Sequence, residues 1–380
     1  MKKFLFPLAL AGMIGMTGCS EDFEVAAPYK QVTVVYAMLN PKDTAHYVRV
    51  QKAFLDENKS AIDMAKVSDS SFYKDGQIDV LLEEIRPNGQ STAYSLTRVN
   101  MEQEGYMKDA ASGEQGFFTT PHYAYKTKQT LNSAYKYNVK VVNKISGETI
   151  ETTPSSANSK GIGIVTTSEA QGDPTSFWIR DFFNADYFLN FERTTASSKY
   201  IILGRTPANG VLLEGILRFR WVDKNTVTGA QVDKSVDYHF SDTTAVPGEN
   251  FILSIPNVNV YSFLADAIGP APANIERYMD SCDIIVWAGS SELAKYQQIN
   301  LAQGSGITGD QIKPNYTNLT GSKNVLGLVA SRTYVMAKNV PLGREASSGG
   351  SGNYPANYTI DSLRTNPITA GLNIKGRSDH

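Results

Sequence analysis

Cysteine is almost missing from this chain: Cys19 and Cys282 are the two in 380 residues. A disulfide framework is thereby excluded, and packing of side chains has to hold the fold. Histidine is sparse too, with His46, His122, His239 and His380 far apart and none in an H-E-x-x-H or comparable ligand pair. No metal or cofactor is therefore expected. No block of basic residues occurs, so the electrostatic footprint of a nucleic-acid binder is missing too. Nucleophile motifs are likewise lacking: there is no G-x-S-x-G, and no Ser-x-x-Lys falls in a helical setting. Glu83 and Glu84 are adjacent, so on a strand they point to opposite faces and do not pair for acid–base work. GSGITG, residues 304–309, matches G-x-G-x-x-G in letters alone. Pro314 blocks the helix that would have to follow, and the stretch reads as a glycine-rich loop. No repeat of 20–50 residues is present. The chain is accordingly expected not to be an enzyme.

Long apolar runs are also scarce, and the longest stands at the start. After Lys2 and Lys3, FLFPLALAGMIGM over residues 4–16 is uncharged for 13 residues. A membrane-spanning helix needs about 20. Pro7 weakens a continuous helix further. A basic start, a short apolar middle and small residues at the end make residues 1–18 a secretory signal peptide. Thr17 and Gly18 before Cys19 resemble the bacterial lipobox, in which that Cys is lipidated and becomes the new N-terminus; Met16 stands where Leu is commoner. Two or more acyl chains anchor a protein stably. Residues 20–380 would then be a body on a lipid tether, with residues 19–30 as the tether. Glu21, Asp22 and Glu24 follow the anchor at once, resembling the acidic export signal of Bacteroidota surface lipoproteins; an ordinary polar tether has the same composition. The expected address is the outer membrane, surface-exposed or periplasm-facing. Removing residues 1–18 takes two lysines and no acid, so 34 basic residues face 38 acidic ones, a net charge of −4.

What the chain has in quantity is β pattern. VTVVYAML (32–39) and HYVRVQKAF (46–54) are rich in β-branched and aromatic residues and lie close enough to pair. IDVLLEEI (78–85), the turn Arg86–Gly89 and STAYSLTRV (91–99) form a second strand–turn–strand. In residues 130–153, Tyr135, Tyr137, Val139 and Val141 share one strand face. That layout recurs in immunoglobulin-like sandwiches, where a Tyr at the start of a late strand ties a corner. Residues 31–155 are therefore expected to form an immunoglobulin-like β-sandwich, and the polar stretch 154–161 a linker. Residues 162–344 are expected to form a second β-rich domain with a few short helices. Its strands fall at 199–204, 214–223, 234–240, 249–256 and 324–342, and Val260, Phe263, Leu264, Ala267 and Ile268 mark a helix over 257–268. Residues 345–380 hold SSGGSGN and little periodicity, which predicts a flexible tail, with YTIDSLR as the part able to dock. Cys282, inside the apolar run CDIIVWAG, is expected to behave as a buried small hydrophobe.

Aromatics are plentiful, with 20 Tyr, 16 Phe and 3 Trp. The densest cluster is FWIRDFFNADYF. Phe177, Trp178, Phe182, Phe183, Tyr187 and Phe188 cannot all point inward from one element. They are candidate binding or interface residues, against the plainer reading of core or inter-domain packing. Asp43, Asp242 and Asp361 each open a triplet resembling the Bacteroidota O-glycosylation signal.

The lipobox, the opening pair VTVVYAML…HYVRVQKAF, a first sandwich and the closing NVLGLVASRTY together resemble a Bacteroidota outer-membrane lipoprotein family of unknown function, encoded near TonB-dependent receptors. Asn324, Gly327, Leu328 and Tyr334 match the family's closing-strand run. The resemblance implies a non-catalytic binding or accessory subunit of the cell envelope. Its partners would be the membrane, through the lipid, and an outer-membrane protein; nucleic acid is not among them. Two other readings stay open: a fimbrillin-like structural subunit, since those are two-domain β-sandwich lipoproteins of this size, and a surface protein binding glycan through its exposed aromatics.

Overall fold

The computed structural model describes residues 30–55, 71–108, 121–153, 160–170, 173, 175–179, 189, 191, 199–279, 281–304, 316–342 and 358–376. The protein is mainly β.

One long strand organises it. Strand β1 is Lys30–Leu39 and β2 is His46–Leu55; they pair antiparallel. The last long strand, β18 (Val325–Pro341), lies on the other side of β1 in parallel, with Tyr36 opposite Leu328. Past Ser331 the same strand leaves β1 and pairs antiparallel with β16 (Ser281–Gly289). Beyond β16 come β12 (Leu212–Asn225) and, as the outermost strand, β13 (Gln231–Thr244). On the β2 side the sheet ends with β6 (Tyr123–Thr127) and β5 (Thr97–Asn100). A single broad sheet thus runs from the N-terminal strands into the second half of the chain.

Alternation along β18 explains how one sheet serves two cores. Val325, Val329, Val335 and Ala337 share one face; the first two enter one apolar cluster and the last two another. At Asn339, φ 53°, the register between β16 and β18 shifts, and its backbone N–H donates to Asp283 Oδ1 at 3.0 Å. After that bulge the parity changes, and Val340 is again a core residue.

The first core is a sandwich. Val35, Ala37, Leu39, Val48 and Val50 from the broad sheet meet Ile78, Val80, Leu82, Tyr137, Val139, Val141 and Ile150 from a six-stranded sheet. That second sheet holds β3 (Ile78–Ile85), β4 (Ser91–Ser95), β7 (Lys136–Asn143), β8 (Thr149–Thr152), β9 (Ile162–Gly163) and β17 (Leu319–Thr320). The expected single run over 91–99 divides at Leu96. Leu96 is buried and its N–H bonds to Val80, so β4 stays in the six-stranded sheet while β5 crosses to the broad one. Tyr137 ties the corner: its hydroxyl accepts the Asn132 N–H at 2.8 Å and donates to Glu84 Oε2 at 3.3 Å. Burial pushes its pKa up to about 12. Residues 31–155 do not close this core alone, because Ile162, Ile164, Leu319, Val325 and Val329 belong to it.

The second core lies on the same face of the sheet. It is roofed by β10 (Trp178–Ile179), β11 (Lys199–Arg205) and β14 (Asn250–Pro256), with helix α1 (Asn257–Ile268). Of the residues whose spacing marked α1, Val260 and Leu264 are buried, Phe263 and Ile268 half-buried and Ala267 exposed; Tyr261, outside that set, is buried as well. The expectation of a flexible tail over 345–380 is corrected for residues 358–376. Helix α3 (Tyr358–Thr365) and β19 (Ile374–Lys375) pack on this core through Ile360, Leu363, Leu372 and Ile374. Strand β19 pairs in parallel with β15 (Ile275–Tyr278). Arg277, 5% exposed, holds the segment: it donates to the Gly269 and Leu372 carbonyls at 2.6 and 3.2 Å and faces Asp223 at 3.3 Å. Apolar contacts and a buried cation outweigh the poor periodicity of this stretch. Residues 347–353 lie outside the described residues.

Among the described residues no helix is long and apolar enough to cross a membrane.

Candidate functional site

The face of the broad sheet away from both cores is the candidate site. Helix α2 (Ser291–Gly304) packs over part of it, against β18 and Tyr36, where Leu328 and Ala330 are buried. The face continues past α2 in cross-strand rows that the register defines. Glu214, Trp287 and Tyr334 form the first; Ile216 and Ile285, both buried, and the half-buried Met336 form the second. Arg218 lies between Asp237 and Asp283 in the third.

The first row is built of stacked charge and ring. Trp287 and Tyr334, both half-buried, stand 4.7 Å apart at 50°. The Arg332 guanidinium lies 4.6 Å above the Trp287 ring, and the Lys42 ammonium 4.8 Å above that of Tyr334. Lys42 comes from the β1–β2 turn and also meets Glu169 at 2.6 Å. Each ring pair or cation–ring contact contributes about 0.5–1.5 kcal/mol. Arg332 has no carboxylate partner among the described residues. Glu214 meets His239 at 2.8 Å. Arg218 grips Asp237 through two bonds of 2.7 Å, which hold that carboxyl below the usual carboxylate range. Arg220 binds the buried Asp283 at 2.9 and 2.5 Å. The result is an aromatic and aliphatic strip rimmed by ions. Such a surface can dock a partner.

The candidate residues read from the sequence fall elsewhere. Phe177 is fully buried in the second core, so it is packing rather than a contact for a ligand. Trp178 is half-buried on the roof sheet opposite Arg205, and its buried indole N–H has no partner among the described residues. Phe182, Phe183, Tyr187 and Phe188 lie outside the described residues, as do Cys19, Glu21, Asp22, Glu24, His380 and residues 305–310. Cys282 faces the second core, fully buried, and burial pushes its thiol pKa well up. Glu84 is buried at the end of the first core, and Glu83 on the other face accepts Asn138 Nδ2 at 3.0 Å. His46 is buried with neither ring nitrogen well bonded among the described residues, His122 contacts the Tyr106 carbonyl at 2.9 Å, and the three described histidines do not meet. Among the described residues no three His, Cys, Asp or Glu gather as metal ligands. Trp287, Tyr334, Arg332 and Lys42 were not legible as a site. Alternation puts Trp287 and Tyr334 outward, but a sequence does not state that their strands are neighbours.

No family model and no curated protein matches this chain. Among solved structures, the calcium-binding domain CBD12 of CALX1.1 is 7% identical over 80% of this chain and 98% of its own, with a TM-score of 0.16. CBD12 from CALX1.2 is 10% identical over 79% and 96%, with a TM-score of 0.11. At those scores neither likeness carries an argument.

Proposed function

We propose that this chain is a cell-envelope lipoprotein acting as a non-catalytic binding or accessory subunit at the outer membrane. Its partner would be an envelope protein, and a TonB-dependent transport system is the candidate the family resemblance names. The observation that carries the reading is the open face, where Trp287, Tyr334, Met336 and Arg332 stand together. Aromatics, Met and Arg are the residue types enriched at protein interfaces. The rim of paired charges fits the polar border of such a surface. The leader over residues 1–18, directly before Cys19, supports the membrane address, and the Tyr137 corner supports an immunoglobulin-like first sandwich.

The test is isolation of the tagged full-length protein from its own membranes in mild detergent, with mass spectrometry of what accompanies it. A second envelope protein should be recovered reproducibly with the native chain. The double variant Trp287→Ala/Tyr334→Ala should lose it at least tenfold while folding normally. Recovery of the chain alone, or equal recovery with the variant, would refute the reading.

A further inference from the structure

The opposite end of β18 borders a second feature, independent of the open face. A cleft of about 440 Å³ opens at the pole of the first sandwich, between its two sheets. Thr33 and Lys52 reach it from the broad sheet, Asn143 from the end of β7, Gln77 and Glu148 from the turns entering β3 and β8, and Asn324 from the turn entering β18. Ten residues separate Asn324 from Tyr334, roughly 30 Å of extended chain.

The chemistry of the lining is specific. It holds one cation, Lys52, and one carboxylate, Glu148; the other polar groups are neutral amides and hydroxyls. The amides are fixed at one end. Asn143, 8% exposed, accepts the N–H groups of Ile145 and Ser146 on its Oδ1 at 2.9 and 3.2 Å. Gln77 accepts the Lys74 N–H on its Oε1 at 2.8 Å. Their NH2 groups, and the whole side-chain amide of Asn324, have no partner among the described residues. Glu148 is positioned by Ser322 Oγ at 3.2 Å and Ser146 Oγ at 3.3 Å, and a carboxylate has acceptor sites beyond those two. Thr33 Oγ1 and the Tyr73 hydroxyl, 2.6 Å apart, close the floor.

Amide NH2 donors and a carboxylate acceptor lining one cleft, with charges that cancel, match a ligand whose groups both donate and accept and which carries no charge. Vicinal hydroxyls do both. Small-ligand clefts commonly measure about 300–1,000 Å³. We infer that this cleft is a binding site for an uncharged saccharide.

The experiment presents the full-length protein in detergent to an array of neutral glucan, mannan, galactan and xylan oligosaccharides together with uronate-containing and sulfated ones. Calorimetry then follows with the strongest binder. A neutral oligosaccharide should bind, and Asn324→Ala and Lys52→Met should each weaken it tenfold or more with melting temperatures near that of the native chain. Trp287→Ala should leave this affinity unchanged, which separates the site from the open face. Three results would overturn the inference: no saccharide bound at about 1 mM, corresponding to roughly 4 kcal/mol of affinity; binding confined to anionic glycans; or binding undiminished in both cleft variants.

Discussion

The two ends of β18 do different jobs. From Val325 to Ser331 the strand lies parallel to β1 and completes the first sandwich, which the N-terminal residues leave open. From Arg332 onward it is antiparallel to β16 and belongs to the second core, which α3 and β19 seal. The first core therefore waits for a strand synthesised nearly 300 residues after β1. The second is made from chain that is contiguous apart from its seal. One strand couples both, so a disturbance in the part of β18 paired with β1 should reach the second core as well, and one at the seal should reach the second alone.

Gly327→Ala is the most severe test of that coupling. At φ 132° an added Cβ would lie 1.8 Å from the Val35 carbonyl oxygen, between two backbones that cannot separate. A backbone misfit of this kind costs on the order of 3 kcal/mol. Denaturant unfolding followed by intrinsic fluorescence should keep a single transition at a lower midpoint. Two separated transitions, with the second unmoved, would make the cores independent. Arg277→Met comes next. It leaves the buried Asp223 with Lys234 and the Trp221 N–H but removes the link to the Gly269 and Leu372 carbonyls. Breaking a buried pair costs about 3 kcal/mol. Hydrogen exchange should accelerate in residues 358–376 before it does in β1 or β7.

Tyr137→Phe should act on the first core alone. It removes the corner bond to the Asn132 N–H and leaves Glu84 short of a donor, at about 1–2 kcal/mol in a denaturant melt. The smallest expected effect is one of pH. Burial lowers the His46 pKa, against the nearby Asp43 and the Gln129 backbone. The unfolded chain then binds the proton more readily than the folded one. Stability is full above about pH 6.5 and falls as pH drops from there toward the folded-state pKa. His46→Phe should remove that part of the acid slope, read as the midpoint at several pH values.

How far the sequence could be read follows from what kind of contact each feature needs. β3 and α1 were legible because alternation and helical spacing are local. The Tyr137 corner was legible for the same reason, since its partner Asn132 is five residues away. The sharing of β18 was not, because parallel pairing with β1 depends on contacts between residues about 290 apart. YTIDSLR was legible as a segment able to dock, but where α3 packs was not, because Arg277 and the carbonyl it holds at Leu372 are 95 residues apart. At the candidate site the densest aromatic segment attracted attention, yet Phe177 went into the core. The open face instead collects single aromatics from β16 and β18, each unremarkable in its own strand.

The most direct test of the account is photo-crosslinking in living cells. A benzophenone side chain would be placed at Tyr334, on the open face, and in a second strain at Ile252, which is 66% exposed on the roof sheet. The account predicts a discrete crosslink to another envelope protein from position 334 and none from 252. A partner captured from 252 alone, or from neither position, would contradict it.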